Sequence, residues 1–274
     1  VSRVISLIDA HVHVYPGVDV PGLLTAAARN FGRAARDVGA GRWHGVLLLT
    51  EISGRDWFGS VAASSGETSI GSWSLTWSPD DPFGLRANGD GAAMTIVAGR
   101  QIVTAERIEV QAFGTRQPLA DGLAARDTLS AVRSAGAVPA LPWGVGKWLG
   151  GRGRLIDALL TEGANERLLA ADIGGRPAFW TEPRLAGRPH LPVLRGTDPL
   201  PIRGEEYRVG EFGSWIDGDL EPTATALLSR LTEIKPAELR PYGRPETVGR
   251  FLRNQTLLRL RKRRPPAAEP ERRS

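Results

Sequence analysis

Leu7-Ile8-Asp9-Ala10-His11-Val12-His13-Val14 sets the frame in which the rest of the chain is read. An apolar run closes on two histidines one residue apart, and the sequence holds only four. On a β-strand, residues i and i+2 project from one face, so His11 and His13 point the same way. Two imidazoles converging from a strand end can hold a divalent metal ion. Such a pair also reads as the polar close of an ordinary strand, with one ring in the core and one in solvent. Asp9 before the pair and a late turn, Gly196-Thr197-Asp198, weigh toward a metal site.

Outward from this stretch, apolar runs alternate with helix-like segments, the pattern of α/β architecture. The first strand, at 4–13, is followed by a helix over 21–38, with Pro21 in its first turn and Leu23, Leu24, Ala27 and Phe31 as its apolar stripe. Gly45-Val46-Leu47-Leu48-Leu49-Thr50, ending at Glu51, reads as a buried parallel strand. The middle is less regular. Ile70, Trp73, Leu75 and Trp77 alternate with small polar residues, and Asp80-Asp81-Pro82 and Asn88-Gly89-Asp90-Gly91 signal turns. Strands at 94–98 and 108–113 leave too little chain between them for a helix, which predicts a hairpin. Alternation resumes with a helix over 119–135, a strand at 137–141, a helix at 154–160 and a strand at 168–173. The run at 191–194 is the last clear strand, and helices follow at 224–234 and 245–260. The expectation is a distorted TIM-like (β/α)7-8 barrel with a hairpin insertion in the middle of the chain. It fills residues 1–260 as one domain, ahead of a basic Pro- and Arg-rich tail over 261–274 that reads as disordered.

Composition narrows the function classes. At 274 residues, 41% hydrophobic and 24% charged, the chain suits one ordinary globular domain. No run approaches the ~20 apolar residues of a membrane span, and residues 1–7 lack the features of a secretory signal. Cysteine is absent, which removes disulfides, thiolate nucleophiles and cysteine-based zinc sites. That fits a cytoplasmic protein. The net charge of +5 sits entirely in residues 259–274, where seven basic residues face Glu269 and Glu271. The formally neutral body argues against an extended nucleic-acid-binding face, and the short basic tail carries no interleaved aromatics.

Polar residues stand at the ends of the strand candidates: His11 and His13, Glu51, Gln101, Glu109, Trp143, Asp172 and Asp198. In a parallel barrel these ends share one rim, where active sites are built. Pro142-Trp143-Gly144-Val145-Gly146-Lys147-Trp148 ends in Gly-Lys but lacks the first glycine and the Ser/Thr of a phosphate loop. Lys147 reads either as a ligand for a substrate phosphate or carboxylate or as a solvent-facing lysine, and Trp143 as a pocket wall or as rim packing. Asp172 before Gly174-Gly175-Arg176 is a candidate general base, a further ligand, or a turn cap. Arg195 and Arg203 flank Asp198 and can hold an anion or form surface ion pairs. His44 and His190 read as structural.

Together these strand-end motifs resemble the PHP family of metal-dependent phosphoesterases and, more distantly, the amidohydrolase superfamily, both TIM-barrel-like metallohydrolases. The opening His-x-His matches His11 and His13. Gly99-Arg100-Gln101 stands at the Gly-x-Glu motif with glutamine for the ligand glutamate, and an expected histidine falls near Glu109. Ala140-Leu141-Pro142 replaces the histidine of Ala-His-Pro, and Gly196-Thr197-Asp198-Pro199-Leu200 keeps the aspartate of the late turn but loses its final histidine. The resemblance implies a single-metal site of His11, His13 and Asp198, with Glu109 as an optional fourth ligand. A trinuclear cluster is not expected, because leucine coordinates no metal. Zinc, manganese or iron suits two histidines and a carboxylate.

The expected function is a metal-dependent hydrolase of a small ester, amide or phosphoester. Asp172 or Glu109 would handle the proton, and Lys147, Arg195 and Trp143 would hold a small, anionic substrate. The competing expectation is a catalytically degenerate barrel that binds or scaffolds, carried by Leu141 and Leu200.

Overall fold

The computed structural model describes residues 3–64, 66–163, 167–218 and 220–263. Strand β1 (Val4–Val12) is buried along nearly its whole length. Helix α1 (Val20–Asp37) starts where Asp19 accepts a hydrogen bond from the Gly22 amide with proline in the first turn, a standard way to satisfy free amides at a helix start. Strand β2 (Arg42–Leu49) runs parallel to β1, as its apolar run predicts. After the short α2 (Trp57–Ala62), the irregular middle becomes an antiparallel meander: β3 (Glu67–Ile70), β4 (Trp73–Ser78), β5 (Asp81–Gly89) and β6 (Ala92–Val97). Strands β7 (Gly99–Val103) and β8 (Glu109–Phe113) form a second antiparallel pair.

Helix–strand alternation then returns. It comprises α3 (Ala125–Ser134), β9 (Val138–Trp143), α4 (Gly151–Glu162), β10 (Leu169–Ile173), α5 (Pro183–Ala186) and β11 (Val193–Gly196). The chain continues through β12 (Phe212–Asp217), α6 (Ala224–Glu233), β13 (Arg240–Gly243) and α7 (Val248–Arg263). The tail expected from 261 lies, beyond residue 263, outside the described residues. Among the described residues no helix is long and apolar enough to cross a membrane.

The strands do not close into the expected barrel. They form two open sheets, ordered β13-β12-β1-β2-β6-β5-β4-β3 and β11-β10-β9-β8-β7. Hydrogen-bonding edges explain the correction. A strand has two edges, and those of β1 are taken by parallel β2 and antiparallel β12, so β11 finds no ladder there. At the other end β6 spends its second edge on β5, and β7 begins a new sheet. The 191–194 run is therefore not the last strand: β12, which follows it, is the one that keeps the sheets apart.

The sheets still face one another. Ile8, Ala10, Val46, Leu48 and Val97 of the first pack against Phe113, Ala140, Leu169 and Leu194 of the second, with Leu227 and Leu231 of α6 closing one side. Outside the first sheet, Leu7, Leu47 and Ile96 meet Leu24 and Phe31 of α1. Outside the second, Val110, Leu141 and Ala170 meet Val132 of α3 and Ile156 of α4. Burying each large aliphatic side chain contributes about 1.5–3 kcal/mol, so three such layers fix the strand ends firmly in place. Two backbone contacts cross the gap between the sheets at that end: an isolated parallel bridge of Glu51 with Arg100, and the Asp198 amide donating to the His11 carbonyl at 2.9 Å.

Candidate metal centre

His11 and His13 leave the end of β1, where the pairing with β2 shifts register after Asp9. Their Nε2 atoms stand 3.0 Å apart. Asp198, arriving just past β11, brings Oδ1 to 3.3 Å from His11 Nε2 and 3.5 Å from His13 Nε2. The two imidazoles are buried, while the Asp198 side chain keeps 13% of its surface exposed and so leaves the group one open side. Among the described residues this is the group of histidines and carboxylates gathered closely enough to hold a metal ion.

The approach of β11 to β1 is bought by glycine and held by a carboxylate. A Cβ on Gly196 would lie 2.3 Å from the His11 amide nitrogen, so any other residue would push the strands apart. Asp198 itself sits at φ 50, a left-handed conformation unusual for a non-glycine residue. Asp9 holds the turn. Its fully buried carboxylate accepts from the Thr197 amide (2.8 Å), the Thr197 hydroxyl (2.6 Å) and the Gly210 amide (2.8 Å), with the His11 amide at 3.3 Å. Burial raises the Asp9 carboxyl to about 6, against the pull of those donors.

Electrostatics favour a cation among the three side chains. Burial lowers His11 to about 3 against the attraction of Asp198, with His13 and Lys147 adding repulsion, so its ring is neutral at neutral pH. Burial works to raise the Asp198 carboxyl, but the neighbouring histidines and the Lys147 ammonium hold it well below the usual range. The donor set is thus two imidazole nitrogens and one ionised oxygen. Ligands ~2.1 Å from a tetrahedral ion stand about 3.4 Å from one another, and the three separations here, 3.0, 3.3 and 3.5 Å, bracket that spacing. The residues fit a divalent metal.

Two of the other candidates lie beside this group. Lys147 Nζ is 2.6 Å from Glu109 Oε2, and the ammonium also feels Asp198 and His11. Burial lowers its pKa, but the neighbouring carboxylates outweigh that and raise it. Gln101 lies near the His11 ring, and its Oε1 is buried without a hydrogen-bond partner.

Other candidates are placed differently. Trp143, Asp172 and Arg195 are register neighbours across β9, β10 and β11 and share a face of the second sheet, with Trp143 in the outer apolar cluster beside α4. Both Asp172 oxygens accept from Arg176, at 2.8 and 2.7 Å, and that guanidinium lies over the Trp143 ring. Arg195 approaches the same carboxylate at 4.0 Å. Glu51 accepts from the amides of Trp57 and Phe58 at the start of α2 and faces Arg100. Leu141 belongs to the outer cluster, whereas Ala140 faces inward, so position 141 is turned away from the space between the sheets.

One neighbour of the site has no counterpart in the sequence reading. Gln111, fully buried on β8, places its carboxamide 2.8 Å from His11 Nδ1. The available signal was the alternation Glu109-Val110-Gln111, which turns both polar side chains to the inner face while Val110 faces out.

No protein-family model matches the chain, and a comparison with curated proteins finds no match. Solved structures do resemble it. PsfC from Pseudomonas syringae PB-5123 superposes with a TM-score of 0.50 at 14% identity, covering 94% of this chain and 99% of its own. The lesion-specific endonuclease PfuEndoQ from Pyrococcus furiosus gives a TM-score of 0.49 at 8% identity, covering 84% of this chain and 56% of the endonuclease. The likeness to PsfC, at so low an identity, shows a common fold and nothing of activity.

Proposed function

We propose that the protein is a metal-dependent hydrolase that holds one divalent ion on His11, His13 and Asp198 and acts on a small anionic ester, amide or phosphoester. The observation that carries this reading is the triangle of three ligand atoms, 3.0 to 3.5 Å on a side, made of two imidazoles and one carboxylate oxygen. A divalent ion bound there supplies Lewis acidity and lowers the pKa of water toward ~7. Zinc, manganese and iron all accept this donor set.

The remaining steps fall to the chain's own side chains. Lys147, a half-buried cation beside the group, neutralises the substrate's negative charge and helps to orient it. Glu109, hydrogen-bonded to Lys147, takes the proton released as water attacks and returns it to the leaving group. Asp172 is the weaker candidate for that role, because Arg176 occupies both of its oxygens.

Elemental analysis and calorimetry of protein purified without chelator or affinity tag test the proposal. Wild type is expected to bind one equivalent of divalent metal. His11→Ala and Asp198→Ala are expected to bind none while keeping a native circular dichroism spectrum. A wild-type chain that takes up no divalent ion under any loading condition overturns the reading.

A further inference from the structure

His11 presents Nε2 to His13 and Asp198 and Nδ1 to Gln111. A neutral imidazole carries one proton, and whatever meets one nitrogen decides the state of the other. If Gln111 donates its amide to Nδ1, the proton sits on Nε2 and points into the triangle, closing it to a cation. If Gln111 accepts instead, Nδ1 keeps the proton and the Nε2 lone pair faces Asp198.

We infer that Gln111 accepts the Nδ1–H of His11 through its carboxamide oxygen and thereby fixes the tautomer that can bind a metal ion. The two ends of a carboxamide have the same shape, and a half-turn exchanges them. Unsatisfied oxygens favour that turn. With the nitrogen toward His11, Gln111 Oε1 is buried without a partner, and so is Oε1 of Gln101. These two glutamines are directly opposite one another in the β7–β8 register, so their side chains lie side by side on one face. Two adjacent carbonyl oxygens with no donor is a costly arrangement, each orphan being worth about 1–3 kcal/mol. Turning Gln111 gives its oxygen the His11 N–H and offers the freed amide to Gln101. Ligating histidines commonly have such an acceptor behind them, which orients the ring and raises its basicity. Gln111 is on this account a positioning residue, and the inference rests on the metal reading above.

Two measurements test it. Long-range nitrogen–proton spectra of 15N-histidine-labelled, metal-free protein at neutral pH are expected to show His11 with a protonated Nδ1 and a bare Nε2, the signal being assigned by its loss in His11→Gln. A protonated Nε2 overturns the inference. Zinc titrations then compare Gln111→Leu, which removes the acceptor, with Gln111→Glu, which keeps one. The leucine variant should lose affinity roughly ten- to hundredfold, while the glutamate variant binds at least as tightly as wild type. Unchanged zinc affinity in a folded Gln111→Leu protein overturns the role of Gln111 and leaves the metal reading standing. If wild type binds no divalent ion, zinc included, the metal reading falls, and the tautomer spectrum still decides the inference. Should Gln111→Leu fail to fold, the wild-type spectrum and the glutamate variant carry the test.

Discussion

At the residue scale, Asp9 and Asp198 show how environment divides one side-chain type between two tasks. Asp9 is enclosed by the amides of Thr197 and Gly210 and the Thr197 hydroxyl, whereas Asp198 opens toward the rings of His11 and His13. Removing the enclosed carboxylate strands three buried donors at once. Asp9→Ala is therefore expected to cost on the order of 3 kcal/mol or more in urea denaturation, and Asp9→Asn less, since an amide oxygen still accepts. An alanine variant as stable as wild type would show that Asp9 does not anchor the turn. The convergence of His11, His13 and Asp198 was legible in sequence because strand alternation aims His11 and His13 together and the Gly-Thr-Asp turn marks a strand end. Asp172 was harder to place: its engagement by Arg176 depends on how the Gly174-Gly175 turn folds back, which spacing alone leaves open. Gln111 was legible only as an inward-facing polar residue, not as a neighbour of the site. A glutamine inside an apolar strand has no motif, and its meaning comes from the ring that packs against it.

Elements carry the next lesson. The early β1–α1–β2 segment follows its sequence pattern closely, with a capped, striped helix between two buried runs. Barrel closure fails in the structure because of β12, whose Phe212-Gly213-Ser214-Trp215-Ile216-Asp217 lacks a continuous apolar run and so hid its strand character. Which edge a strand occupies is a tertiary matter that composition does not encode. The close approach of β11 to β1 yields a sharp expectation here. Gly196→Ala touches none of the three proposed ligands with its own chemistry, yet its methyl would collide with the His11 backbone. It should lower the melting temperature and weaken zinc binding together, as read by calorimetry. Wild-type affinity in that variant would mean that the strand ends adjust independently of the site.

For the whole molecule, pH acts through a histidine that takes no part in the candidate site. His44 Nε2 meets Thr95 Oγ1 at 2.9 Å, and that hydroxyl donates to the Pro222 carbonyl ahead of α6, linking β2, β6 and the α6 entry. The imidazole must then donate, which neutral and charged rings can both do, so burial and not this hydrogen bond disfavours the charged form. Burial lowers His44 to about 4, helped by repulsion from Arg86. The unfolded chain, with histidine near 6.5, binds more protons than the folded one between those values. Stability is therefore full above about 6.5 and falls as pH drops toward 4, by up to ~3 kcal/mol. Urea melts across pH 4–7 should show this slope, and His44→Gln should flatten part of it relative to wild type. Equal slopes in the two proteins would remove His44 as a source.

The unclosed line between the sheets has a mechanical consequence. His11 and His13 ride on one sheet and Asp198 on the other, so on the proposed reading an ion shared among them would act as a rivet across a joint that backbone pairing leaves nearly bare. Metal supply would then be a structural variable as well as a chemical one. At a hundred times the dissociation constant, a ligand specific for the folded state adds about 2.7 kcal/mol to stability. Chelation should accelerate amide hydrogen exchange in β11 and around Asp198 well before the outer helices respond. A joint fastened in this way would let a cell's free divalent ion set how much of the chain stays intact.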